Sequence, residues 1–150
     1  MKKVLVGLSL LLFTTGTFAQ NIDKVFKKYK AKSNVQYVTL DKEMLKSAQA
    51  DQIDAIQVLN FEDCDQQLID EFSKEIKKYK FKKYETLIKV DEEGEYTHIL
   101  VSPKGDSLGE MIVIHIEEDE ASLVQLKGNL KEANGMKGLS KMKGIEGIDL

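Results

Sequence analysis

Ile22, Val25, Phe26 and Tyr29 recur at three- and four-residue intervals, with lysines filling the opposite face and Asn21 placed to cap. That spacing predicts a short amphipathic helix. After Ser33-Asn34, the run Val35 to Leu40 is rich in β-branched and aromatic residues and predicts a strand. Asp41 is placed to cap a second helix that carries Met44, Leu45 and Ala48 on one side and ends near Ala50. Ile53, Ile56, Val58 and Leu59 predict a second strand, followed by an acidic turn from Asn60 to Asp65. The next helix has the clearest stripe, formed by Leu68, Ile69, Phe72, Ile76 and Tyr79. Its other face interleaves Lys74, Lys77, Lys78 and Lys80 with Asp70, Glu71 and Glu75, the pattern of a solvated surface.

From Tyr84 to Lys127 the period changes to two. Tyr84, Thr86, Ile88 and Val90 recur at every second position, and similar alternation marks Tyr96 to Val101 and Ser122 to Leu126. Met111 to Ile114 is apolar at every position, which predicts the strand buried on both faces. Turns are expected at Asp91-Gly94, Pro103-Asp106 and Glu117-Glu120, giving a four-strand antiparallel meander. A helix-like segment is expected from Leu130 to Ala133. The predicted fold is therefore α+β: an antiparallel-rich sheet with a C-terminal four-strand meander and helices packed mainly on one face.

The two ends of the chain have a different character. Lys2 and Lys3, the apolar run Val4 to Phe13 and the small residues before Ala19 predict a secretion signal over residues 1–19, cleaved between Ala19 and Gln20. The apolar run is shorter than the roughly 20 residues a membrane span needs, so the mature chain is expected without a transmembrane segment, periplasmic or secreted. Residues 20–133 are expected to form one domain. Over residues 134–150, Met136, Leu139, Met142, Ile145 and Ile148 recur every third position, a period that fits neither helix nor strand. A mobile tail, or one that orders on a partner, is expected there.

Charge and composition narrow the function classes. Every basic residue is lysine, and residues 20–150 carry 20 of them against 25 acidic residues. This balance opposes nucleic-acid binding, and the lack of arginine removes the usual bidentate grip on phosphate. Charge is also uneven: residues 20–83 hold 13 lysines and 11 acidic residues, residues 84–150 hold 7 and 14. One cysteine, Cys64, excludes an internal disulfide and leaves a Cys64-linked homodimer as the alternative to a quiet thiol.

No catalytic constellation is visible. The chain lacks a G-x-S-x-G elbow, an S-x-x-K motif and a Gly-rich phosphate loop, so no enzyme and no cofactor are expected. A simple register about Lys104-Gly105 sets His98 opposite Met111, with His98 and His115 on one face about 14 Å apart. That is too far for one zinc ion. The acidic turns are the most specific local feature. Asp91, Glu92 and Glu93 with Glu117, Glu118 and Asp119 should gather at one end of the sheet, a candidate site for a hard cation such as calcium.

The sequence also resembles a known family. Phe26-Lys27-Lys28-Tyr29, Val35 to Leu40, Lys42 to Leu45, Ile56 to Leu59, Tyr84 to Val90 and Leu126 to Leu130 are similar to the small exported bacterial proteins grouped as domain of unknown function 4252. The resemblance implies an envelope location and carries over no catalytic residue. Taken together, these features lead to the expectation of a non-enzymatic envelope protein, an interaction or binding module that binds another protein or a small ligand through the exposed sheet face or the tail. The alternative is a carrier or sensor of a small apolar ligand held between helix layer and sheet, lined by Leu87, Ile99, Val101, Met111 and Val113.

Overall fold

The computed structural model describes residues 22–130. The predicted signal segment with its Ala19-Gln20 junction, the end of the domain at 131–133 and the tail over 134–150 lie outside the described residues. Elements follow in the order α1 (Ile22–Tyr29), β1 (Gln36–Leu40), α2 (Lys42–Ser47), β2 (Ile53–Asn60), α3 (Gln66–Lys78), β3 (Glu85–Glu92), β4 (Glu95–Lys104), β5 (Ser107–Ile116) and β6 (Ala121–Leu130). All six strands form one antiparallel sheet in the order β1-β2-β6-β5-β4-β3. The fold is α+β, and the meander runs in sequence order through β3 to β6, with β2 added alongside β6.

This order explains where the helices go. β2 lies second in the sheet and β3 at the far edge, so the connection between them must cross the sheet, and α3 makes that crossing. Its stripe Ile69, Phe72 and Ile76 is buried together with Ile22, Val25, Phe26 and Tyr29 of α1. Both pack on Leu59, Tyr96, Leu100, Ile112, Ile114, Ile116 and Leu123 of the sheet. Phe61 and Phe72 stack at 4.4 Å, and the Tyr29 ring meets both edge-on at 5.5 and 5.2 Å. Such contacts add about 0.5–1.5 kcal/mol per pair beyond burial.

The second face of the sheet has its own apolar cluster: Ile53, Ile56, Ile99, Val101, Met111, Val113, Val124, Leu126 and Leu130, joined by Leu45 of α2. This accounts for the two-sided burial of Met111 to Ile114, which are all 5% exposed or less. The Asp41 carboxylate starts α2 by accepting from the N–H groups of Glu43 and Met44 at 3.1 and 3.0 Å. Of the side predicted to be buried only Leu45 is; Met44 stays 54% exposed, because one six-residue helix turns a single position onto the sheet.

Two expectations are corrected. Leu130 closes β6 and pairs with Leu108, so it begins no helix. The β4–β5 register also differs from the simple one. The chain reverses at Gly105-Asp106, where Gly105 supplies a φ of 62°, and Gly109 is an extra residue between the Pro103–Leu108 and Ser102–Glu110 pairs. His98 therefore pairs with Ile114, and His115 with Thr97. The shift from the expected register is an odd number of residues, so the histidines fall on opposite faces. They are separated by the sheet itself, not by distance along it.

Candidate functional site

Three groups of polar side chains stand out from this frame. The first is the acidic end of the sheet. The β3–β4 and β5–β6 turns lie at the same end, and α3 runs beside them, leaving a groove of about 430 Å³. Glu92, Glu93 and Glu95 line it from one turn, Glu117 and Glu118 from the other, and Gln66, Asp70, Ser73 and Lys77 from α3. Asp91 and Asp119 do not line it. Gln66 Nε2 bridges helix and turn, donating to the Glu118 carbonyl at 2.7 Å and to Asp70 Oδ1 at 3.0 Å. The Lys77 ammonium sits 4.9 Å from the centre of the Tyr96 ring, so the groove carries a cation of its own.

The carboxylates of the two turns do not converge as calcium ligands would. Among the described residues, one group of three metal-capable side chains meets: His115, Glu117 and Glu120, with one donor atom from each within 4.8 Å of the others. Asp91, Glu92, Glu93, Glu118 and Asp119 are outside it. Sequence reading passed over His115 because the simple register placed it on the same face as His98 and far from any partner. The signal that could have found it is Gly109, a glycine inside a strand pattern, which often marks a bulge.

His98 has the opposite character. It is 8% exposed on the helix-covered face, where its Nε2 lies 2.8 Å from Thr86 Oγ1 and its Nδ1 3.2 Å from the Tyr96 hydroxyl. Burial, aided by the nearby Lys89 charge, pushes its pKa down and favours the neutral ring. Both nitrogens are engaged, which is the arrangement of a core histidine.

The second group lies at the other end of the helix-covered face, beneath α1. Gln57 Nε2 donates to Asp23 Oδ1 at 3.1 Å and to Gln125 Oε1, and the Tyr37 hydroxyl donates to Gln57 Oε1 at 3.1 Å. Tyr84 donates to Glu110, and Lys127 lies 3.9 Å from Glu110 and 4.0 Å from Asp23. These contacts satisfy Gln125, which is only 2% exposed. The Tyr79 hydroxyl is buried with no hydrogen-bond partner among the described residues. A third network joins α1 to α3: Glu75 Oε2 accepts from Tyr29 Oη and Lys28 Nζ, each at 2.6 Å, and Lys28 also reaches Glu71 at 3.3 Å.

Cys64 is partly buried before α3, and burial together with the Asp65 and Asp63 charges pushes its thiol pKa up. The apolar residues named as a possible ligand lining divide. Ile99, Val101, Met111 and Val113 belong to the second face, away from α1 and α3, and Leu87 is 50% exposed at a bulge in the edge strand β3. Among the described residues no helix is long and apolar enough to cross a membrane.

A family model described as Domain of unknown function (DUF4252) matches residues 29–137. No curated protein and no solved structure matches the chain.

Proposed function

The chain belongs to the DUF4252 family, and we propose that it is an exported, non-enzymatic module that binds an apolar segment of another envelope protein on the second face of its sheet. One observation carries this reading. Among the described residues four large hydrophobic side chains are left exposed, Val38 at 51%, Met44 at 54%, Leu87 at 50% and Ile88 at 40%. Val38 pairs with Val58 and Ile88 with Ile99, which orients both toward the second face from the two edge strands. Met44 stands beside Leu45 on α2, and Leu87 is the bulged neighbour of Ile88. Apolar side chains concentrated at the margins of one face are typical of a contact surface.

Export is supported by the sequence pattern of residues 1–19. The test is chemical crosslinking in the producing cell followed by mass spectrometry. The wild type should yield a specific crosslinked protein that is lost in Val38→Lys and Ile88→Lys and kept in Lys74→Glu on the helix layer. Substitutions at such exposed positions change stability by about 0.5 kcal/mol or less, so loss of the partner reads as loss of contact. A partner retained by both lysine variants would overturn the proposal. A lipid-sized mass carried by the purified chain in native mass spectrometry would point instead to the apolar carrier.

A further inference from the structure

The β5–β6 turn holds a donor set that neither the fold nor the proposed contact surface uses. His115 is the next-to-last residue of β5, and Glu117 and Glu120 close the turn through a backbone bond at 2.8 Å, the Glu117 N–H donating to the Glu120 carbonyl. His115 and Glu120 are half-buried and Glu117 is exposed. His115 Nε2 and Glu117 Oε1 lie 3.2 Å apart. Neighbouring ligands of a tetrahedral zinc, each about 2.0–2.2 Å from the ion, are about 3.4 Å from one another. The His115–Glu117 edge already has that length. All three donors lie within 4.8 Å, so closure asks for a movement of roughly 1.4 Å or less, within reach of the rotatable Glu120 carboxylate.

Hydrogen bonding prepares the imidazole for this role. Its Nδ1 lies 3.0 Å from Oγ1 of Thr97, its partner across the β4–β5 ladder. The Thr97 hydroxyl in turn donates to Glu95 Oε1 over a long 3.5 Å. With that hydrogen directed at the carboxylate, Oγ1 accepts from Nδ1–H, and the lone pair stays on Nε2. Nε2 and Glu117 Oε1 then stand 3.2 Å apart, close to the spacing of neighbouring ligands on one zinc ion.

We propose that His115, Glu117 and Glu120 form a binding site for a divalent transition metal of the zinc type, with Thr97 and Glu95 as the groups that orient the histidine. One imidazole nitrogen and two carboxylates suit zinc better than calcium, which takes six to eight oxygens. Three protein ligands leave a coordination position for water or for a ligand from a partner.

The experiment is calorimetric titration of the untagged chain with zinc chloride, and in parallel with calcium chloride. One zinc per chain is expected, with affinity at least tenfold weaker in His115→Gln and Glu120→Gln and unchanged in Glu118→Gln, a neighbour outside the cluster. Thr97→Val should weaken zinc about 10- to 100-fold, the usual cost of losing an outer partner. In the wild type, imidazole ¹⁵N resonances should show His115 shifting with zinc while His98 stays, a readout independent of whether any variant folds. Absence of zinc uptake, equal affinity in His115→Gln, equal loss in Glu118→Gln, calcium binding as tight as zinc, or an unmoved His115 resonance would each overturn the site.

Discussion

Replacing Tyr29 by phenylalanine removes one oxygen from the junction of α1 and α3 and nothing else. The ring keeps its edge-on contacts with Phe61 and Phe72. What is lost is the 2.6 Å hydrogen bond to Glu75 Oε2. A hydrogen bond to a charged group contributes about 1.5–3 kcal/mol. Glu75 has a side chain 35% exposed and keeps Lys28 at 2.6 Å, so water and the ammonium compensate part of the loss, and we expect a cost of about 1–2 kcal/mol. For a domain near 100 residues this lowers Tm by roughly 4–8 °C. Urea unfolding followed by circular dichroism should show the midpoint move with the slope unchanged. Tyr79→Phe is the matched control. Its hydroxyl is buried with no partner among the described residues, so its removal should leave stability unchanged or raise it. The pH dependence adds a sign. Burial alone would raise the Glu75 pKa, but the hydrogen bonds from Lys28 and Tyr29 outweigh it and hold the carboxyl below its ordinary 4.5. A depressed carboxyl contributes stability above its unfolded pKa and loses it as pH falls through the folded value. The difference between wild type and Tyr29→Phe should therefore be full near neutrality and shrink below pH 4.5. A variant as stable as wild type at pH 7, or a Tyr79→Phe loss as large as that of Tyr29→Phe, would refute the reasoning.

Two further outcomes follow from local geometry. A Cβ at Gly128 would stand 2.2 Å from the Gln52 carbonyl oxygen and 2.9 Å from Ile53 Cα, all backbone, whereas one at Gly109 would meet only the Lys104 side chain, at 3.0 Å and beyond. Gly128→Ala should thus force β2 and β6 apart and cost at least about 1–3 kcal/mol, against a smaller cost for Gly109→Ala, where a side chain and not the facing backbone must give way; equal urea midpoints for the two would contradict this. Cys64, whose thiol is raised by burial and by Asp65 and Asp63, should react with iodoacetamide at pH 7 more slowly than glutathione does, and faster once both aspartates are asparagine. Alkylation at the glutathione rate would show an unperturbed thiol.

Much of this architecture is written in local pattern. The α1 and α3 stripes, the Asp41 cap and the strands from Glu85 onward each depend on residues within one element, and a period of 3.6 or 2 is enough to see them. Sheet order is different in kind. Nothing local in Ile53 to Asn60 says that β2 will pair with β6 across more than sixty residues, because that choice is made by which faces the strands bury together. Met44 shows the same limit. It has helical spacing with Leu45 and Ala48, but how far a short helix rolls onto the sheet depends on what it meets there. Strand order alone brings the two acidic turns to one end of the sheet. That their carboxylates stay apart is not readable, since side-chain direction within a turn follows from backbone torsions that composition does not specify.

The histidines show how a single residue controls a site. Gly109 adds one position to β5, and in a structure of period two an odd shift exchanges the two faces of everything that follows. It is this exchange that takes His115 off the helix-covered face, where His98 meets Phe81 edge-on and is held by Thr86 and Tyr96. On the second face it meets Thr97 and the two glutamates of the next turn. Its apolar neighbours tolerate the move because Met111 to Ile114 are hydrophobic at every position, so either face of β5 can be buried. A strand that alternated would have resisted the bulge. The two-sided apolar run is thus what allows the sheet to be packed on one face, to present Val38 and Ile88 on the other, and to turn a histidine toward the acidic end without loss of core.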